Sequence, residues 1–404
     1  LQDIGSIVAG GTPSTKTPNN FGGDVAWITP ADLTGYTDKY ISKGKRNLSK
    51  TGLKNSSAIL LPKGSVLCSS RAPIGYVVIA ENEIATNQGF KNIVPNTKIV
   101  NSEYLYYFLK GNKDLITSFA SGTTFLEVSA KRFSAIPIPV PPLAEQKRIV
   151  KKIEELFGVI DEQVKRLEAT QEDLISYRQS ILKKLLSNPV YPQVSFNDGI
   201  KKIIGGSTPS KTISAYYEGH IPFMTVKDMT SPRPQDTAWH ITQEAVDNCS
   251  THIIPANTLI TATRVGLGKT VLMPFPVAIN QDLKALVLNK NKVKTRFFEF
   301  VLNAKTTEII SKSRGTTVKG ITLEDFKSIK FYLPALAEQQ KIVDEIERTF
   351  YSADQVQKAV QNALEQAKQL KQSILKRAFE GKLVPQDPND KPVDLTQIKK
   401  DKHK

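Results

Sequence analysis

"PPLAEQKRIVKKIEELF" at residues 141–157 returns as "PALAEQQKIVDEIERTF" at residues 334–350, an offset of 193 positions from 141 to 334. The repeat extends well beyond this helix opening. From Leu48 to Lys183 the same offset aligns the chain with itself without a gap: "LPKGSVLCSSRAPIGYVVIAENEIATNQGFKNIVPN" faces "IPANTLITATRVGLGKTVLMPFPVAINQDLKALVLN". Upstream the offset is 196, where "TPSTKTPNNFGGDVAWITPADL" faces "TPSKTISAYYEGHIPFMTVKDM". The change falls between Leu33 and Leu48, where 14 residues, "TGYTDKYISKGKRN", stand against 11, "TSPRPQDTAWH". A repeat unit this large signifies a tandem pair of domains rather than a solenoid.

Each repeat begins as a globular body and ends as a long helix. "SVLCSS", "GYVVIA" and "FKNIVP" have the β-branched richness and turn punctuation of strands. "NSEYLYYFLKG" places a polar cap ahead of apolar pairs four apart, the mark of a helix. After Pro142, the positions Val150, Ile153, Phe157, Ile160, Val164, Leu167, Gln171, Leu174, Arg178, Ile181 and Leu185 alternate three and four apart. The same register after Pro334 runs from Val343 through Ile346, Phe350, Ala353 and Val360 to Ile374 and Ala378. A seven-residue seam sustained over four heptads is a coiled-coil pattern. "SNP" at 187–189 closes the first helix and Gly381 suits a C-terminal cap for the second.

The order body–helix–body–helix with matched halves favours antiparallel pairing about a pseudo-two-fold. The expected fold class is α+β, with two mixed α/β bodies separated by two long helices that pair as an antiparallel coiled coil. The boundaries expected are 1–142, 143–188, 189–334 and 335–404. Roughly 44 helical residues give a rod of about 65 Å, somewhat under two turns of duplex DNA.

The chain has 404 residues and a net charge of +16. Residues 1–142 carry 15 Lys/Arg against 9 Asp/Glu, and residues 189–334 carry 18 against 11, whereas the helical segments are nearly balanced. Excess base confined to two bodies is the footprint of a polyanion partner. Two cysteines exclude a disulfide framework or thiolate zinc site and suit a reducing cytoplasm. The first residues do not read as a secretory signal, and no apolar run is long enough to span a bilayer.

Catalytic motifs are wanting. "TRVGLGKT" (263–270) resembles a phosphate loop but has Thr263 where the first glycine is required, so it reads as a strand turn at Gly268. "EQK" at 145–147 becomes "EQQ" in its twin. Glu145 and Glu338 therefore read as complements to a helix N-terminus or as partner contacts. His220, His240, His252 and His403 have no metal-ligand spacing. Neither half has the Asn/Asp-Pro-Pro-aromatic tetrapeptide with which amino-methyltransferases hold a flipped base.

The duplication also sorts candidate DNA contacts. Residues common to both halves cannot distinguish two sequences, so Arg71 and Arg264, Asn87 and Asn280, Gln88 and Gln281, and Lys91 and Lys284 are expected to position phosphates or support loops. Base readout is expected where the halves diverge: Lys43, Lys45, Arg46 and Asn47 in the first, and Arg233, Gln235 and His240 in the second. A second apolar stripe on the helices, comprising Ile149, Leu156, Leu182, Leu186, Ile342, Tyr351, Leu370, Leu375 and Phe379, suggests helical partners.

The motifs "GGTPS" (10–14), "LPKGSVLCSSRAPIG" (61–75), "ATNQGF" (85–90), "IPIPVPPLAEQKRIV" (136–150) and "SILKRAFEGKLVPQDPND" (373–390) strongly resemble the specificity subunit of type I restriction–modification systems. The resemblance covers nearly the whole chain, although "TNQGF" becomes "INQDL" in the second half. It implies two target recognition domains, each reading one half of a split double-stranded DNA site, with helices that set the spacing. It further implies that the helices dock two methyltransferase subunits, which bring S-adenosylmethionine and methylate adenine N6 on opposite strands, and that motor-nuclease subunits join for restriction. This chain would be non-catalytic and hold no cofactor of its own. A stand-alone two-headed regulator and the specificity portion of a fused enzyme are the alternative readings.

Overall fold

The computed structural model describes residues 1–122, 126–315 and 319–394. The chain divides into two compact units, Leu1–Leu167 with Asn362–Lys404, and Glu168–Gln361. In the first unit, strands β1 (Gly5–Ala9), β2 (Tyr40–Ile41), β3 (Val66–Ser69), β4 (Val77–Ala80) and β5 (Phe90–Pro95) form one sheet in the order β1-β5-β3-β4-β2. All neighbours are antiparallel except β2, which lies parallel to β4. Every residue of β3 and β4 is buried, as expected for apolar runs without alternation. In the second unit, β6 (Ile200–Gly205), β7 (Thr258–Ala262), β8 (Thr270–Met273) and β9 (Leu283–Leu288) repeat the antiparallel part in the order β6-β9-β7-β8.

The edge strand β2 lies within the longer first-half segment 34–47, with Tyr40 opposite Ile79. The second sheet keeps an equivalent edge hydrogen bond: Leu272 N–H donates to the Pro232 carbonyl at 3.0 Å, as Ile79 N–H does to the Lys39 carbonyl at 2.9 Å. Helices α1 (Ser102–Gly111) and α3 (Thr295–Ala304) are the matching short helices. Asn101 caps α1 by accepting from the Glu103 and Tyr104 N–H groups.

The long helices are α2 (Leu143–Leu186) and α4 (Leu336–Phe379), each of 44 residues. The repeated opening has a concrete role. Gln146 and Gln339 are wholly buried. The Gln146 carboxamide accepts from Asn101 N–H at 2.8 Å and donates to the carbonyls of Ile99 at 2.9 Å and Pro141 at 2.8 Å. Gln339 repeats this with Lys294 N–H and the carbonyls of Lys292 and Pro334, all at 2.8 Å. Each glutamine ties the start of a long helix to the entrance of the short helix in the same body. Its two donor hydrogens and carbonyl match three backbone groups that would otherwise be buried unpaired.

The heptad seam is real. Val150, Ile153, Ile160, Val343, Ile346, Ala353, Val360, Ile374 and Ala378 are all buried. Within the first unit Asp161 pairs with Lys371, and within the second Arg178 pairs with Asp354 at 2.5 Å; both pairs follow one antiparallel register. Gly381, with φ of 69°, ends α4, and Lys382 N–H donates to the Arg377 carbonyl at 2.8 Å, the left-handed cap that a Cβ would penalise.

The second apolar stripe needs correction. Ile149 and Leu375 are buried in the core of the first unit, with Leu156 and Phe379 packed against it, while Leu182, Leu186 and Ile342 belong to the core of the second. These side chains flank the seam and pack onto the neighbouring globular body, which leaves Leu156 and Phe379 partly open. Apolar positions still exposed on the helices include Val159, Ile175, Tyr177, Tyr351, Val356 and Leu370. Glu145 is buried, whereas Glu338 accepts from the Tyr191 hydroxyl at 3.4 Å and pairs with Lys341 at 2.9 Å.

Candidate nucleic-acid interface

The residues shared by both halves gather at the turn that follows β3 or β7 and at the start of β5 or β9. Lys91 is buried, with Nζ 3.1 Å from both Ser70 Oγ and Glu127 Oε1. It is therefore not placed for phosphate contact, and the expectation narrows to loop support. Arg71 lies 3.3 Å from the other oxygen of Glu127. In the second unit the compensating acid comes from the turn before β9: Arg264 Nε is 3.7 Å from Asp282. Lys284 donates to the Gln281 and Leu283 carbonyls, and burial pushes its ammonium below the ordinary lysine value. Asn87 accepts from Gly89 N–H at 2.9 Å, and Asn280 accepts from Asp282 N–H at 3.2 Å. Both asparagines are turn-builders. Gln281 differs from its twin in accepting from the Thr208 hydroxyl at 2.6 Å, because Thr12, at the matching place, leaves its buried hydroxyl without a partner.

The divergent segments split into anchors and free positions. Lys39 pairs with Glu103 at 2.8 Å and with Glu154, and the Tyr40 hydroxyl donates to Glu103 at 2.6 Å. These contacts fix the first part of segment 34–47 to α1 and α2. Beyond them, Lys43, Lys45 and Arg46 are exposed. The Lys45 N–H donates to Asp32 at 2.9 Å, and the Arg46 guanidinium carbon sits 3.4 Å from the centroid of the Phe21 ring. Asn47 keeps a buried, unpartnered side-chain oxygen.

In the second unit Arg233 does the anchoring. Both its terminal nitrogens lie 2.8 Å from Glu299, which is 1% exposed and also takes Arg296 at 2.9 Å. The Arg233 fork, expected to read bases, is matched to a carboxylate in this structure, and base contact would require that pair to open. Gln235 turns back to the Arg233 carbonyl at 3.1 Å. His240 stands on strand Trp239–Ile241, 3.5 Å from Asp236.

One pocket was not legible in the sequence. A hollow of about 590 Å³ is lined by Thr208, Lys211, Tyr217, Trp239, Asn280 and Gln281 among others. Trp239 is 53% exposed and meets Tyr217 edge-on, with centroids 5.6 Å apart. An exposed indole on a basic body, beside amides and hydroxyls, is suited to stacking against a base and hydrogen bonding to its edge. Among the described residues no group of His, Cys, Asp or Glu is arranged to hold a metal ion. The Gly-Thr-Thr stretches at 122–124 and 315–317 lie partly outside the described residues, as does His403.

Comparison with known proteins gives one answer. The family model for the type I restriction modification DNA specificity domain matches twice, at residues 1–170 and 189–366. The MjaIX specificity subunit of Methanocaldococcus jannaschii is 28% identical over 84% of this chain and 83% of its own length. The EcoKI specificity subunit of Escherichia coli is 25% identical over 74% and 69% respectively. A chain from a structural study of complex assembly and conformational transition in the type I R-M system superposes with a TM-score of 0.74 at 21% identity, covering 95% of this chain and 97% of that one. The HsdS subunit from Thermoanaerobacter tengcongensis gives 0.53 at 20% identity, covering 95% and 96%. With a repeated body, paired long helices and a match to both halves, the chain belongs to the type I restriction–modification DNA specificity family and is a non-catalytic, DNA-recognising member of it.

Proposed function

We propose that each globular body reads one half of a split duplex target and that the complete complex contains two methyltransferase subunits, with restriction subunits added for cleavage, in the cytoplasm. The observation that carries this reading is the duplication itself: the same body occurs twice, with shared residues holding loops and with exposed segments, 34–47 and 230–240, that diverge in length and sequence. In this reading domains 1–142 and 189–334 are the two target recognition domains, and 143–188 and 335–404 are the spacer helices with the tail. The exposed Lys43, Lys45, Arg46 and Gln235, with the half-buried His240, face DNA, and Arg71 and Arg264 lie at its backbone.

A pair of matching grooves supports two methyltransferase copies. The first unit has a groove of about 800 Å³ lined by Phe108, Leu115, Ile138, Lys376 and Phe379 among others. The second has one of about 680 Å³ lined at the corresponding positions by Val301, Glu308, Phe331, Lys183 and Leu186. Equivalent surfaces take equivalent partners. S-adenosylmethionine belongs to those partners in this scheme. Among the described residues no helix is long and apolar enough to cross a membrane. Similarity to specificity subunits over most of their length does not favour a fused enzyme or a stand-alone regulator.

The test is reconstitution with the methyltransferase encoded beside this chain, followed by mapping of methylated adenines. A bipartite motif with one modified adenine on each strand, and a mass corresponding to two methyltransferase copies per chain, are expected. A single uninterrupted motif, or one copy, would overturn the scheme.

A further inference from the structure

Aligning the two bodies position by position isolates one residue. Of the pocket walls in the second unit, Thr208, Thr225, Asn280 and Gln281 correspond to the identical residues Thr12, Thr29, Asn87 and Gln88, and the aromatics Tyr217 and Phe223 correspond to Phe21 and Trp27. The floor is therefore common. Trp239 is different in kind. The offset of 193 that sets Leu48 against Ile241 sets Arg46 against Trp239; Ile221 faces Ile241 in the second unit, and both Phe21 and Val25 bridge Leu48 in the first.

Both residues occupy the same aromatic seat. The Arg46 guanidinium carbon sits over Phe21 at 3.4 Å from the ring centroid, and Trp239 packs edge-on to Tyr217. Among the described residues Arg46 forms no ion pair or side-chain hydrogen bond, in contrast to Arg71 with Glu127 and Arg233 with Glu299. The ring holds the guanidinium by cation–π contact, and the residue is exposed, so its five N–H donors remain uncommitted within the chain. A pre-oriented, uncommitted fork matches the O6 and N7 acceptors of guanine in the major groove. An indole has one donor and a wide apolar face, so it cannot make that bidentate contact.

We propose that position 46, and its counterpart 239, is a specificity-determining site: Arg46 reads a guanine in the half-site of the first body, and Trp239 replaces that readout by apolar contact in the other. The inference rests on the proposed function and adds the identity of one base. Lys43 and Lys45 lack the planar fork, and the shared floor cannot distinguish the half-sites.

The experiment maps adenine methylation by the reconstituted complex carrying Arg46→Ala, Arg46→Lys or Trp239→Ala. Arg46→Ala should relax one guanine position in one half-site, with discrimination falling on the order of ten- to a hundredfold, and should leave the other half-site unchanged. Arg46→Lys keeps the charge but loses the fork, so it should relax the same position. Trp239→Ala should loosen a position in the opposite half-site only. An unchanged motif with Arg46→Ala, or full discrimination with Arg46→Lys, overturns the inference, the latter because a phosphate contact alone would explain the residue. Absence of any bipartite motif with the unaltered chain would instead defeat the proposed function. Arg46 is exposed, and chromatography of the variant complex checks that assembly is intact.

Discussion

At the scale of single residues, the buried glutamines explain why the same four letters, Leu-Ala-Glu-Gln, open both long helices. Removing the Gln146 side chain strands one N–H and two carbonyls, each costing about 1–3 kcal/mol when buried without a partner. Gln146→Ala should lower stability by about 2–4 kcal/mol in denaturant unfolding, with partial relief from backbone movement. Gln339→Ala should act likewise on the second unit. A loss below about 0.5 kcal/mol, the usual effect of a surface change, would show that the three hydrogen bonds are dispensable. The Lys39–Glu103–Tyr40 cluster makes a second prediction. Burial pushes the Glu103 carboxyl up, but hydrogen bonds from Lys39 and Tyr40 prevail and hold it below the ordinary value of 4.5. A depressed carboxylate contributes stability above its unfolded pKa and loses it as pH falls through the folded one. Exchange protection of the amides of β2 should therefore drop as pH is lowered below the ordinary value of 4.5. Glu103→Gln should remove that dependence, and equal protection at neutral and acid pH in the unaltered protein would exclude the cluster as the anchor.

Among the elements, the long helices were the most legible, because a seam of period 3.5 can be counted along the chain and both ends carry stop signals. Their lengths and register follow the pattern closely. Inserting seven residues after Leu167 and after Val360 returns the seam to phase. Thermal unfolding should then be little changed, and the methylated target should keep its half-sites with a spacer longer by roughly three base pairs. Four-residue insertions at the same places break the phase and should lower the melting temperature. Equal stability of the two variants would show that the seam does not hold the pair. Segment 34–47 was harder to read. It looks like a charged loop, but a strand of two residues carries almost no periodicity, and β2 exists because β4 offers it an edge.

For the whole chain, the charge distribution leads to a bulk measurement. Excess base on both bodies implies several phosphate contacts, so log K for duplex DNA should fall linearly with log salt, by about 0.9 for each phosphate neutralised. A binding constant flat between low and physiological salt would remove the basic bodies as the DNA surface. The sequence alone determined the duplication, the heptad seam, the strand segments β3, β4 and β5, and membership of a DNA-specificity family, since each is written in local pattern or self-similarity. Tertiary structure decided which charged side chains remain free. Arg233 and Arg46 look alike in the chain, yet one pairs with the buried Glu299, more than sixty residues away, and the other, among the described residues, has the ring of Phe21 in place of an acid. Likewise Ile149 and Tyr351 both lie beside the seam, but a globular body covers the first and leaves the second exposed. Whether a fork is matched or a stripe is covered depends on partners brought together by folding, and that information is not carried by the spacing of residues along the chain.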